Sequence, residues 1–220
     1  MTADLVAQIA RAVEPGAHIV WDFDGVIADT EPLHGATYAA MAEARGMPLE
    51  PDFFLAQVGK TEPAIWADLV RDGFPAGAAS VAALTAERLA LFRARAGSEL
   101  RPSGLAGSLM PLAARRGARQ HVVSNGDPDL IDELLAAWAL DGLASLRRRR
   151  PGADKRALVA QLCRTSPRRP LVIEDNDSWL AFARECGALT VSVRHALNAR
   201  QSLDADFRVD LDGRLAGSIP

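Results

Sequence analysis

Three short apolar runs, far apart in the chain, each stop on polar or acidic groups. That repeated ending constrains the fold more than any other feature. Residues 18–23 (HIVWDF) run into Asp22-Phe23-Asp24-Gly25, residues 120–124 (QHVVS) into Ser124-Asn125-Gly126, and residues 171–173 (LVI) into Glu174-Asp175. Short apolar segments bounded by Gly, Asn and Asp read as strands. A fourth falls at 189–193 (LTVSV), and 207–209 predicts a fifth at a sheet edge. Helical patterns lie between them. The clearest covers 129–140, where Ile131, Leu134, Leu135 and Trp138 repeat at the spacing of one helix face and Pro128 suits the first turn. Another covers 154–162, with Asp154 as its N-cap, and the N-terminal stretch reads as a short amphipathic helix. Strands alternating with helices predict an α/β fold with a mainly parallel sheet.

One region breaks the alternation. From about 31 to 100 the pattern is helix after helix, punctuated by Gly46, the 73–77 stretch and Gly97. A helical insert is therefore expected between the first and second strands, with a core from 1–30 and 101–220. Such an insert is expected over the C-terminal edge of the sheet, where open α/β sheets bind ligands.

Bulk properties narrow the classes of function. A net charge of −3 gives no support for nucleic-acid binding. No apolar run reaches the length of a membrane span, and the N-terminus lacks the apolar stretch and cleavage site of a signal peptide. The two cysteines, Cys163 and Cys186, do not make a disulfide framework, so a cytoplasmic protein is expected. The basic residues are lopsided: of 25, only Lys60 and Lys155 are lysines.

The strand ends carry the chemistry. Any one Asp, Asn or Ser at a turn is ordinary turn composition, but three strands bring such groups to one sheet edge. Residues two apart on an extended segment point the same way, so Asp22 and Asp24 should face one small volume. A carboxylate pair raises one pKa or recruits a cation. With Asp175 from a neighbouring strand, the oxygen-rich site suits Mg²⁺. One carboxylate can then attack while the other moves a proton. Lys155 can neutralise charge, and Ser124, with N–H groups near Asn125, can hold phosphate oxygens.

The string Asp22-Phe23-Asp24-Gly25-Val26-Ile27-Ala28-Asp29-Thr30 resembles the first motif of the haloacid dehalogenase (HAD) superfamily; Ser124-Asn125 is similar to its second motif and Glu174-Asp175 to its fourth. The resemblance implies a Rossmann-like core with an inserted all-helical C1-type cap that sets substrate specificity. It implies that Asp22 is the phosphorylated nucleophile, Asp24 the general acid/base that also gives its backbone carbonyl to the metal, Asp175 a metal ligand, and Glu174 a contact to the metal or its waters. The third motif is a basic residue, and two candidates stand for it. Arg150-Pro151 sits where the β-phosphoglucomutase-like branch has Lys-Pro, and Lys155 opens the next helix as in other branches. Lys155 is favoured, because a compact ammonium and a guanidinium are not interchangeable. The run 147–150 otherwise reads as solvated surface. Trp179 stands where that branch usually has Gly, and is expected to crowd the cap side of the site.

The resemblance also sorts the chemistry. Dehalogenases and phosphonoacetaldehyde hydrolases of the superfamily replace the second Asp, whereas this chain keeps Asp24. The expected activity is a Mg²⁺-dependent phosphatase acting on a small phosphorylated metabolite. The first alternative is a sugar phosphomutase: His34 occupies the position of a histidine used by β-phosphoglucomutases, but Glu62 stands where an Arg would hold a second phosphate. The other alternative is a HAD-fold binding or regulatory protein without turnover. Lys60, in the turn before Glu62, is an expected substrate contact.

Overall fold

The computed structural model describes residues 2–50, 52–57, 60–146, 154–199 and 201–212. Its chain divides into two compact units, Thr30–Leu100 and the two flanking stretches Met1–Asp29 and Arg101–Pro220 taken together.

The discontinuous unit is built on a six-stranded, all-parallel sheet: β1 (His18–Trp21), β2 (Arg119–Val122), β3 (Ala144–Leu146), β4 (Leu171–Glu174), β5 (Leu189–Arg194) and β6 (Phe207–Asp210), in the order β3-β2-β1-β4-β5-β6. Helices α1 (Thr2–Ala12), α5 (Gly104–Arg115), α6 (Pro128–Ala137), α7 (Lys155–Thr165) and α8 (Asp177–Glu185) belong to it. Every residue of β1 and β4 is buried, the signature of a parallel sheet covered on both faces. Val20, Val172, Val159 and Ala183 pack together in one such layer. This is a Rossmann-like α/β fold, and strand order reverses between β1 and β4, the switch point at which such sheets bind ligands.

Local chemistry explains the helix starts. Asp127 caps α6 through Asp129 N at 3.0 Å, Asp154 caps α7 through Ala157 N at 2.7 Å, and Asn176 caps α8 through Ser178 N at 2.9 Å. Asp127 and Asn176 lie a few residues beyond β2 and β4, so α6 and α8 begin near the sheet's C-terminal edge.

Several boundaries differ from the sequence-based expectation. β1 ends at Trp21, so Asp22 and Phe23 lie just past it; β2 runs 119–122, one residue earlier at its start and two at its end. The edge strand β3 has no counterpart in the sequence reading. Three residues, Ala-Ser-Leu, are too few to show alternation, and only their pairing with β2 makes them a strand. The expected edge strand at 207–209 is β6. α6 stops at Ala137, because Ala139 takes a positive φ of 55° and turns the chain.

The unit Thr30–Leu100 holds α2 (Glu31–Glu43), α3 (Glu62–Arg71) and α4 (Val81–Glu99), with a 3-10 turn at Phe53–Ala56 and no strand among its described residues. Its core joins Tyr38, Met41, Ile65, Trp66, Leu69 and Leu84. Gly46 and Gly73 end helices with positive φ, as expected of C-terminal glycines. Gly97 does not punctuate: it lies in the last turn of α4, where the helix simply continues. Among the described residues no helix is long and apolar enough to cross a membrane.

Candidate active site

Two neighbouring strands at the switch point bring the acids together. The N–H of Asp22 donates to Ile173 O at 3.0 Å, so the end of β1 stays in register with the end of β4. One carboxylate oxygen each from Asp22, Glu174 and Asp175 lies within 4.8 Å of the others. Asp22 is oriented by the Phe23 N–H, which donates to Oδ1 at 2.8 Å. Its Oδ2 lies 3.0 Å from Lys155 Nζ.

Lys155, the first residue of α7, is buried with its ammonium also 2.6 Å from Glu174 Oε1. Its Nζ lies 4.6 Å from the ring centroid of Trp179, so the indole walls one side of the cation. Arg150 lies outside the described residues.

Asp24 and Ser124 form the second half of the site. Ser124 Oγ donates to Asp24 Oδ2 at 3.1 Å and accepts from the Gly126 N–H at 2.9 Å. Asn125 lies between them, exposed on the turn after β2. The carboxylate of Asp24 therefore turns toward Ser124, and the trio that closes on one point contains Glu174 instead. The Asp24 charge still acts on Asp22 and raises its pKa, so the two carboxylates share the site. Past Trp21 the chain leaves the strand, and Asp24 pairs across a tight loop with Ala28.

Electrostatics follow the burial. Burial pushes the Asp22 carboxyl up and Asp24 adds to this, while Lys155 opposes both. Glu174 is raised well above the usual carboxylate range by burial first and by the Asp22 charge second. Burial pulls the Lys155 amine down, but Asp22 and Glu174 outweigh it and hold it protonated. Glu174 Oε2 is buried and has no hydrogen-bond partner. A buried, orphaned carboxylate oxygen beside two further acids is costly unless something positive meets it. The donor set is all oxygen, which suits a hard cation such as Mg²⁺.

Sequence reasoning missed His195 and Asn198, which follow β5 and reach Asp175. His195 Nε2 lies 2.9 Å from Asp175 Oδ2, and Asn198 Nδ2 donates to the Asp175 carbonyl at 3.0 Å. Neither residue belongs to a local motif, and only the packing of β5 beside β4 brings them there.

His34 and Lys60 lie in the helical unit and share one cavity of about 160 Å³ with Gln57, Glu62 and Arg88. Arg88 is only 3% exposed and grips both Glu62 oxygens, at 2.6 and 2.7 Å, while its Nη1 lies 3.0 Å from His34 Nδ1. A guanidinium only donates, so His34 accepts at Nδ1. Lys60 Nζ bonds Asp68 at 2.6 Å and Gln57 at 3.0 Å. Val58 and Gly59, which precede Lys60, lie outside the described residues.

A parallel sheet with acids on adjacent strands at its switch point, a buried lysine between two of them and a hydroxyl-bearing strand end beside them defines a Rossmann-like hydrolase centre. The haloacid dehalogenase-like hydrolase family matches residues 17–187, and the chain belongs to that family. No curated protein matches the sequence significantly. Solved structures match in fold. CbbY from Rhodobacter sphaeroides in complex with phosphate is 19% identical, with a TM-score of 0.70 over 90% of this chain and 98% of that one. A mutant of CbbY in complex with xylulose-(1,5)bisphosphate is 18% identical, with a TM-score of 0.70 over 90% and 99%. A HAD hydrolase of family IA, variant 3, from Entamoeba histolytica is 17% identical, with a TM-score of 0.69 over 88% and 92%.

Proposed function

We propose that this hydrolase is a Mg²⁺-dependent phosphatase that cleaves a small phosphorylated metabolite through an aspartyl-phosphate on Asp22. The observation that carries the reading is the buried cluster itself: Asp22, Glu174 and Asp175 within 4.8 Å of one another, and Lys155 spanning two of them. Mg²⁺ held by Asp22, Asp175, Glu174 or its waters, and the Asp24 backbone carbonyl would neutralise charge on the phosphate and the nucleophile. Lys155 adds a fixed positive charge on the same side. Ser124, held by the Gly126 N–H, would turn its hydroxyl from Asp24 to a phosphate oxygen, beside the Asn125 backbone amide.

The covalent chemistry then belongs to two carboxylates. A carboxylate oxygen of Asp22 bonds to phosphorus as the ester P–O bond breaks. Asp24, protonated, gives its proton to the departing oxygen. It then takes a proton from the water that opens the aspartyl-phosphate, which returns Asp22 and releases phosphate.

The helical unit is proposed to act as the specificity cap, with His34 and Lys60 as contacts of its cavity. A second phosphate is poorly served there, because Glu62 already occupies the Arg88 fork. This weighs for a phosphatase over a phosphomutase.

The test is hydrolysis of p-nitrophenyl phosphate by the purified chain. Turnover with Mg²⁺ that disappears on chelation and returns on repletion is expected. A folded protein that turns over neither this substrate nor a panel of sugar phosphates, phosphoglycolate and nucleotides would sink the reading and leave a binding protein. Conversion of a hexose 1-phosphate to its 6-phosphate would identify a mutase instead.

A further inference from the structure

The loop after β5 does more than leave the sheet. His195 is 3% exposed at its side chain and Asp175 18%, and the two share a 2.9 Å contact from ring Nε2 to carboxylate Oδ2. An ionised carboxylate only accepts, so Nε2 carries the proton in this bond. The histidine is itself held. Asn198, 1% exposed, accepts from the His195 backbone N–H at 3.0 Å and donates to Val193 O at 2.8 Å and Asp175 O at 3.0 Å. One amide thus ties the His195 backbone to the Asp175 backbone, while the imidazole ties the carboxylate. The other side of the contact is closed by Gly25. A Cβ there would stand 2.5 Å from Asp175 Oδ2 and 2.9 Å from His195 Nε2, and Gly25 has φ +69°, so its place admits no side chain.

Three carboxylates this close repel one another, and an aspartate can relieve the repulsion by rotating away. A donor on one oxygen of Asp175 opposes that rotation and leaves its second oxygen untied by His195. We propose that His195, braced by Asn198, is a positioning residue that fixes the Asp175 carboxylate for the cation shared with Asp22 and Glu174. The inference rests on the magnesium reading above. Outer partners that orient a ligand typically change metal affinity 10- to 100-fold when removed.

The test is calorimetric titration of Mg²⁺ into the metal-free full chain, compared with His195→Met and His195→Gln. Met fills the space without a donor, and Gln offers an N–H. The expected result is Mg²⁺ affinity lowered about 10- to 100-fold in His195→Met and held within about 3-fold of the parent in His195→Gln. Thermal unfolding without metal establishes that each variant is folded. Should His195→Met not fold, His195→Phe supplies a ring without a donor. Parent-like Mg²⁺ affinity in the donorless variant overturns the positioning role and leaves the magnesium reading intact. Equal weakening in the Met and Gln variants assigns the residue to packing and also overturns it. A parent chain that binds no Mg²⁺ overturns both.

Discussion

The ammonium of Lys155 lies 3.0 Å from Oδ2 of Asp22, and both side chains are nearly sealed from water, at 4% and 11% exposure. The same ammonium is 2.6 Å from Glu174. One cation thus balances two buried anions, and its removal leaves charges that the interior solvates poorly. Lys155→Met should therefore lower stability at neutral pH by roughly 3–5 kcal/mol. It should also lower kcat by about 10²- to 10³-fold, as loss of an electrostatic donor does. Lys155→Arg should not restore the rate, because a planar fork cannot occupy the point the ammonium holds. Chemical denaturation and p-nitrophenyl phosphate kinetics read the two effects separately. A fully active Arg variant would contradict this account of the residue.

Asp22 and Asp24 should fail differently. Asp22→Asn keeps the shape and should abolish both phosphoenzyme and turnover. Asp24→Asn should slow turnover by about 10²- to 10⁴-fold, the usual reach of general acid–base catalysis. Because p-nitrophenolate departs with little acid help, the Asp24 variant should accumulate phosphoenzyme with that substrate. Rapid-quench measurement of hydroxylamine-labile phosphate decides it, and substantial turnover by a folded Asp22→Asn protein would remove Asp22 as nucleophile.

His34 gives the helical unit a pH dependence. Burial, and then the Arg88 charge, push its pKa down to about 4 from 6.5. The unfolded chain therefore binds this proton more tightly than the folded one. Stability contributed by neutral His34 is complete above about pH 6.5, shrinks as pH falls, and is lost by about pH 4. The loss is on the order of 2–3 kcal/mol, discounted for the partial exposure of the ring. His34→Gln should flatten the stability profile between pH 4 and 6.5. Urea denaturation at the two ends of that window measures it, and an unchanged slope would free His34 of the effect.

Trp179 should support Lys155 through its π face. A double-mutant cycle of Trp179→Leu and Lys155→Met should give a coupling of about 0.5–2 kcal/mol. Trp179→Phe, which keeps a weaker face, should retain part of it. A coupling near zero in thermal or chemical unfolding would reduce Trp179 to a packing residue.

The candidate site was legible where its residues sit on short local strings. Asp22-Phe23-Asp24-Gly25, Ser124-Asn125 and Glu174-Asp175 all end apolar runs, and an apolar run with a polar stop specifies both a buried strand and which end of it meets water. Lys155 was legible through its cap, since Asp154 starts α7 where the N-terminus begins with the lysine. The Ala144–Leu146 strand was not, because three residues carry no period.

The sequence by itself determined the alternating α/β plan, the helical stretch between the first two strands, and which acids stand at strand ends, because each depends on residues a few positions apart. Tertiary structure alone decided the strand order that sets β1 directly beside β4, and so how closely Asp22, Glu174 and Asp175 approach one another. It alone turned Asp24 toward Ser124, a hundred residues away, and brought His195 and Asn198 to Asp175 and Arg88 to Glu62. Such pairings depend on strand order and on which buried polar atoms find partners. Those are properties of the packed chain, because an unpaired buried group costs nothing until the fold removes its water.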